Sequence, residues 1–62
     1  MTTFDYAEFT TEAELQARLT QLGAHECTLG GWAKSNGYDR EYNIPYGSAY
    51  VRGLHLTTAH YD

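Results

Sequence analysis

Tyr38, Tyr42, Tyr46 and Tyr50 recur at every fourth position. On a helix they would form one stripe, but Pro45 and Gly47 make a continuous helix untenable. On a strand, Tyr38 and Tyr42 share a face because even separations do. Tyr46 then belongs to a turn, and Tyr50 begins a return strand on which it could lie opposite Tyr42. Two roles compete for this set. One is cross-strand packing that completes a small core. The other is a partly exposed tyrosine surface that docks a protein, since Tyr combines large, stiff contact area with a polar tip. Base stacking on single-stranded nucleic acid would need a cationic groove, and only Lys34, Arg40 and Arg52 could build one.

The acids form the second constellation. Residues 1–26 hold Asp5, Glu8, Glu12, Glu14 and Glu26 against Arg18 alone. Residues 27–62 hold three acids and three bases, so the whole formal charge of -4 belongs to the first part. Glu8, Glu12 and Glu14 gather around a helix start, where carboxylates favour the positive end of the helix dipole. The same carboxylates, with Asp5, could meet basic groups of a partner in place of a few phosphates; duplex DNA carries about one charge per 1.7 Å. The acidic balance itself opposes direct binding to nucleic acid or to anionic membranes.

Metal and nucleophile chemistry find little support. His25 and Cys27 would share one strand face, but a structural zinc site shows tighter paired ligands. His55 and His60, five apart, face opposite ways on a straight strand. Cys27 could act as a nucleophile only with a His and a carboxylate beside it in space, a condition that any such composition meets on paper. Gly30-Gly31 lacks the spacing and the following helix of a phosphate loop. The expectation is a protein without catalytic residues, metal ligands or cofactor.

These residues must be positioned by few elements. Thr11 followed by Glu14 reads as a capping box, and Leu15, Leu19 and Leu22 form a core-facing stripe. Gly23 stands where a helix would end. The spacing predicts a helix over 12–22. Phe4, Tyr6 and Glu8 fall on one side of an extended segment, so residues 3–7 are expected as a short edge strand. Asn36-Gly37 is a hairpin signal, and the run from Ile44 to Ser48 is a second turn signal. They divide the remainder into strands Glu26–Lys34, Tyr38–Ile44 and Ala49–Thr58, with bulges expected at Gly30-Gly31 and Gly53. The fold class is α+β: one N-terminal helix on a three- or four-stranded antiparallel sheet, as one domain over 1–62.

Composition bounds this fold. Leu, Ile, Val and Phe number ten of 62 residues, below the roughly 20% at which disorder becomes a concern. Six Tyr, two Phe and Trp32 offset that deficit, so the core is expected to be aromatic. A chain this short buries only about 60% of its unfolded surface. Cys27 is the one cysteine, so no internal disulfide can help, and a lone cysteine suits a reducing cytoplasm. The N-terminal stretch, acidic and without a base, does not read as a signal or transit peptide, and no apolar run reaches the ~18 residues of a membrane span.

In size, acidity, tyrosine content and the order of helix before sheet, the chain resembles the small phage-encoded anti-CRISPR and anti-restriction proteins. That resemblance implies a stoichiometric inhibitor in the host cytoplasm. It would bind a CRISPR effector subunit or nuclease and block a basic DNA-binding or recruitment surface. Asp5, Glu8, Glu12, Glu14 and the tyrosines would be its contacts. The alternative from another class is a homo-oligomeric assembly module, motivated by the thin core and the open edge strand, and the chain is expected as a monomer or homodimer.

Overall fold

Thr11 starts the principal helix as the sequence requires. Its Oγ1 accepts a hydrogen bond from the Glu14 amide at 3.2 Å, while the Glu14 carboxylate accepts from the Thr10 amide at 3.3 Å. The reciprocal half of the capping box therefore reaches one residue further out than usual. The computed structural model describes residues 1–61, and this helix, α1, spans Glu12–Gln21. Leu22 caps it and Gly23 follows at φ +70°. The Gly23 amide bonds the Thr20 carbonyl and the Ala24 amide bonds the Leu19 carbonyl. That pair of bonds is a Schellman motif, whose left-handed residue favours glycine.

Five strands make one antiparallel sheet: β1 (Thr2–Glu8), β2 (His25–Cys27), β3 (Arg40–Ile44), β4 (Gly47–Arg52) and β5 (His55–Tyr61), in the order β1-β5-β4-β3-β2. The α+β class holds, with one strand more than the largest expected number. Strands β1 and β2 lie at opposite edges, so the chain between them must travel four inter-strand spacings, about 19 Å. Helix α1, about 15 Å long at 1.5 Å per residue, makes that crossing and covers one sheet face. Beneath it Leu15 and Leu19 pack with Tyr42, Ile44, Ala49, Val51 and Leu56.

The segment expected as strand Glu26–Lys34 divides differently. Only His25–Cys27 pairs with β3, and residues Gly31–Ser35 form a short helix, α2, on the other sheet face. Gly30 is its N-cap rather than a bulge. Asn36-Gly37 is its ending rather than a hairpin: Gly37, at φ +84°, bonds the Lys34 carbonyl, and the Tyr38 amide bonds the Ala33 carbonyl. This is a second Schellman motif, and it holds Tyr38 against Ala33.

The hairpins lie elsewhere. Pro45-Tyr46 joins β3 to β4, as the second turn signal implied. Gly53-Leu54 joins β4 to β5, cutting the expected strand Ala49–Thr58 in two; Gly53 has φ +61° and is a turn, not a bulge. Register also departs from expectation. Tyr42 pairs with Ala49 and Tyr50 with Glu41, so Tyr42 and Tyr50 occupy opposite faces. Tyr38 precedes β3, so the rule of even separations does not bind it to the face of Tyr42.

The β3–β4 turn is tightly constrained. Tyr46 holds φ +63° without being glycine, a conformation costing about 1–2 kcal/mol. Beside it, a Cβ on Gly47 would meet the Ala59 carbonyl oxygen at 1.9 Å. Thermal melts should separate the two positions. Gly47→Ala should cost about 3 kcal/mol or more, enough to abolish the cooperative transition of so small a domain. Tyr46→Gly should raise the midpoint by several degrees, for about 1 kcal/mol. A Gly47→Ala melt like the parent's would contradict the close packing of β4 on β5.

Candidate functional site

Sheet pleating sends alternate side chains to each face. Helix α1 takes Ala7, Leu56, Ala49, Val51 and Tyr42. The opposite face receives Phe4 and Tyr6 from β1, Thr57, Ala59 and Tyr61 from β5, Ser48 and Tyr50 from β4, and Glu41 from β3. Helix α2 has only five residues. It buries Ala33 against Tyr50 and Ala59 and cannot roof the rest. Phe4 stays 44% exposed, Tyr61 49%, Trp32 55% and Tyr6 76%.

A stack of rings stands at the centre of this face. Trp32 and Tyr50 lie 5.0 Å apart between centroids, Tyr38 and Tyr50 5.2 Å, and Trp32 and Tyr38 6.0 Å. Such separations fall within the attractive range for offset and tilted rings. Hydroxyls fix the stack to the sheet: Tyr38 Oη donates to Thr57 Oγ1 at 3.4 Å, and Tyr61 Oη donates to Ser48 Oγ at 3.2 Å. Tyr50 Oη lies 3.4 Å from Tyr61 Oη. Burial, followed by the Tyr61 hydrogen bond, pushes the Tyr50 phenol up to about 12. It therefore stays neutral at physiological pH.

The stack divides the face into two open hollows. One, of about 560 Å³, is walled by Phe4, Trp32, Tyr50 and Tyr61, with Ala59 and Glu41 also in its lining. The other, of about 470 Å³, lies between Tyr6, Tyr38, Asn36, Arg52, His55 and Glu8. Both volumes fall in the range of ligand sites, but both are broad and shallow rather than closed.

The residues singled out from sequence are scattered. Asp5 points to the α1 side, where its carboxylate is 3.2 Å from His60 Nε2. Glu8 points to the aromatic side and lies 3.5 Å from His55 Nδ1. Glu12 pairs with Arg40 at 3.2 Å and accepts from Gln16 Nε2. Those hydrogen bonds, from Gln16 and then Arg40, lower its pKa. Glu14 is engaged at the helix cap. The four carboxylates therefore do not form one array. Of the tyrosines, Tyr42 is buried under α1 with its hydroxyl accepting from Arg40 Nη1 at 3.3 Å. Tyr46 is exposed at its turn, Tyr50 is buried in the stack and Tyr38 is half-buried there. Phe4, Tyr6, Trp32 and Tyr61 were not singled out as contacts. The signal for the first two was present in their alternation along β1. Trp32 and Tyr61 needed the tertiary placement of α2 and β5.

Cys27 donates from Sγ to the Glu41 carbonyl at 3.5 Å. Burial and then the Glu41 charge push its thiol up, which disfavours the nucleophilic thiolate. Among the described residues, no three His, Cys, Asp or Glu side chains gather as a metal set, and no helix is long and apolar enough to cross a membrane. No protein-family model, curated protein or solved structure matches the chain.

Proposed function

We propose that this chain is a non-catalytic inhibitory binding protein, anti-CRISPR-like in action. It occupies a basic DNA-binding or recruitment surface of a host effector complex by laying its aromatic face on it. The observation that carries this reading is the exposure of Phe4, Tyr6, Trp32 and Tyr61 together on one hydrogen-bonded sheet face. Clustered apolar exposure in a small protein marks an interaction surface, and Trp and Tyr dominate binding hot spots. Four anchors at about 2 kcal/mol each come to about 8 kcal/mol, which corresponds to micromolar affinity. The formal charge of -4 steers such a chain toward a basic partner. Because Asp5, Glu8, Glu12 and Glu14 are dispersed and locally paired, occlusion of a protein surface fits better than imitation of a phosphate row.

Capture of the effector from host lysate, followed by titration of the purified pair, tests this. The double variant Trp32→Ala/Tyr61→Ala should bind at least about 100-fold more weakly. Glu8→Lys/Glu12→Lys should cost less and mainly slow association. Undiminished inhibition by the aromatic double variant would refute the reading.

A homo-oligomeric assembly module is the second reading, and the exposed edge of β1 favours it. Phe9 N bonds Leu54 O at 2.9 Å in the β1–β5 register. Since antiparallel bonding alternates, Thr3, Asp5 and Ala7 bond into β5, while Thr2, Phe4, Tyr6 and Glu8 direct backbone groups outward. Full antiparallel overlap of two such strands would place Asp5 opposite Asp5, which is destabilising and ranks this reading second. If it is right, light scattering reports a dimer whose melting midpoint rises with concentration. Tyr6→Pro, which removes only an outward amide, would then yield monomers. A monomeric parent with a concentration-independent midpoint eliminates it.

A further inference from the structure

We infer that the hollow walled by Phe4, Trp32 and Tyr61 is a receptor for a single guanidinium side chain, with Glu41 as its counter-charge. The inference rests on the proposed docking role and adds the chemistry of the partner's anchor. Ala59, paired with Phe4 on β1 and Ser48 on β4 and covered in part by Ala33 and Tyr50, belongs to the floor of the hollow. Phe4, Trp32, Tyr50 and Tyr61 line it, and the π faces of such rings attract cations. Glu41 adds a full charge at the α2 end of the hollow. One of its oxygens, Oε1, accepts the Gly30 amide at 3.0 Å, which fixes the carboxylate. The other accepts no hydrogen bond within the described residues.

The chain's three arginines are placed elsewhere. Arg18 sits over the Phe9 ring at 5.5 Å, Arg40 serves Glu12 and Tyr42, and Arg52 lines the other hollow. No Lys or Arg lines this one. Aromatic walls, one carboxylate with a free oxygen and a lining without Lys or Arg fit an external cation and disfavour an anion. Arginine fits better than lysine because its planar, weakly hydrated guanidinium stacks on rings and bonds a carboxylate at once.

Trp32, the chain's one tryptophan, reports occupancy directly. Its fluorescence is followed while N-acetyl-arginine methylamide is added to the intact protein, with the citrulline analogue as the uncharged isostere. The expected result is a saturable change with arginine and binding at least about tenfold weaker with citrulline. Glu41→Gln should weaken arginine binding by a similar factor. Its amide oxygen can still accept the Gly30 amide, so the loop should hold. Phe4→Leu, at an exposed strand position, gives a second variant that keeps apolar bulk and removes a ring, and it too should weaken arginine. Equal response to both probes, or arginine binding unchanged in both variants, overturns the receptor. If arginine fails to bind while Trp32→Ala/Tyr61→Ala still abolishes target capture, the receptor falls and the docking role stands. If arginine binds while that variant still captures the target, the docking role falls and the receptor stands.

Discussion

A five-stranded sheet has two faces to cover, and this chain has one helix long enough to cover either. Most of the architecture follows from that mismatch. Helix α1 must carry the chain from one sheet edge to the other, so it lies over the face that becomes the main core. Leu15 and Val51 are fully buried there, and Leu56 is 2% exposed. The opposite face receives the five-residue α2, whose Ala33 reaches the sheet while Trp32 remains largely in solvent. Aromatic rings take over what helices would supply. Trp32, Tyr38 and Tyr50 pack ring against ring, Trp32 stacked on Tyr38 and both tilted against Tyr50, and the hydroxyls of Tyr38 and Tyr61 anchor to Thr57 and Ser48. The surface proposed to bind a partner is thus the one that neither helix covers.

Where the chemistry was local, the sequence was legible. Thr11 and Glu14 marked the start of α1, Leu15 and Leu19 its buried stripe, and Gly23 its end. The Pro45 turn and the edge strand were readable for the same reason: each depends on a few adjacent residues. Asn36-Gly37 misled because the same dipeptide serves two geometries. A left-handed Gly suits a hairpin, and it equally suits a helix C-terminus. Deciding between them required knowing that Gly31–Ser35 is helical, which five residues without periodicity do not announce. The candidate site was less legible. The tyrosine repeat of four carries meaning only if its members share a strand and a register. Tyr38 lies outside β3, and pairing of Tyr42 with Ala49 instead of Tyr50 sends the remaining two to opposite faces.

Charge followed a similar course. The excess of acid in residues 1–26 is real as composition, yet folding distributes it. Asp5 and Glu8, three residues apart on one strand, point to opposite faces and meet His60 and His55 respectively. Glu12 meets Arg40, and Glu14 serves the helix start. What remains is a diffuse negative field around the molecule rather than a carboxylate ladder. On the proposed docking role, such a field would guide approach to a basic surface and leave close contact to the rings. Glu41, attributed no role from sequence, is the carboxylate that the fold places beside those rings.

The central claim is that the face bearing Trp32 is open in the free chain and closed in the bound one. Fluorine NMR of protein carrying 5-fluorotryptophan at position 32 gives a single resonance and tests this directly. The account predicts a solvent-exposed signal in the free monomer that shifts and becomes protected from water in the complex with its target. A resonance unchanged on binding, or already shielded from water in the free monomer, would contradict it.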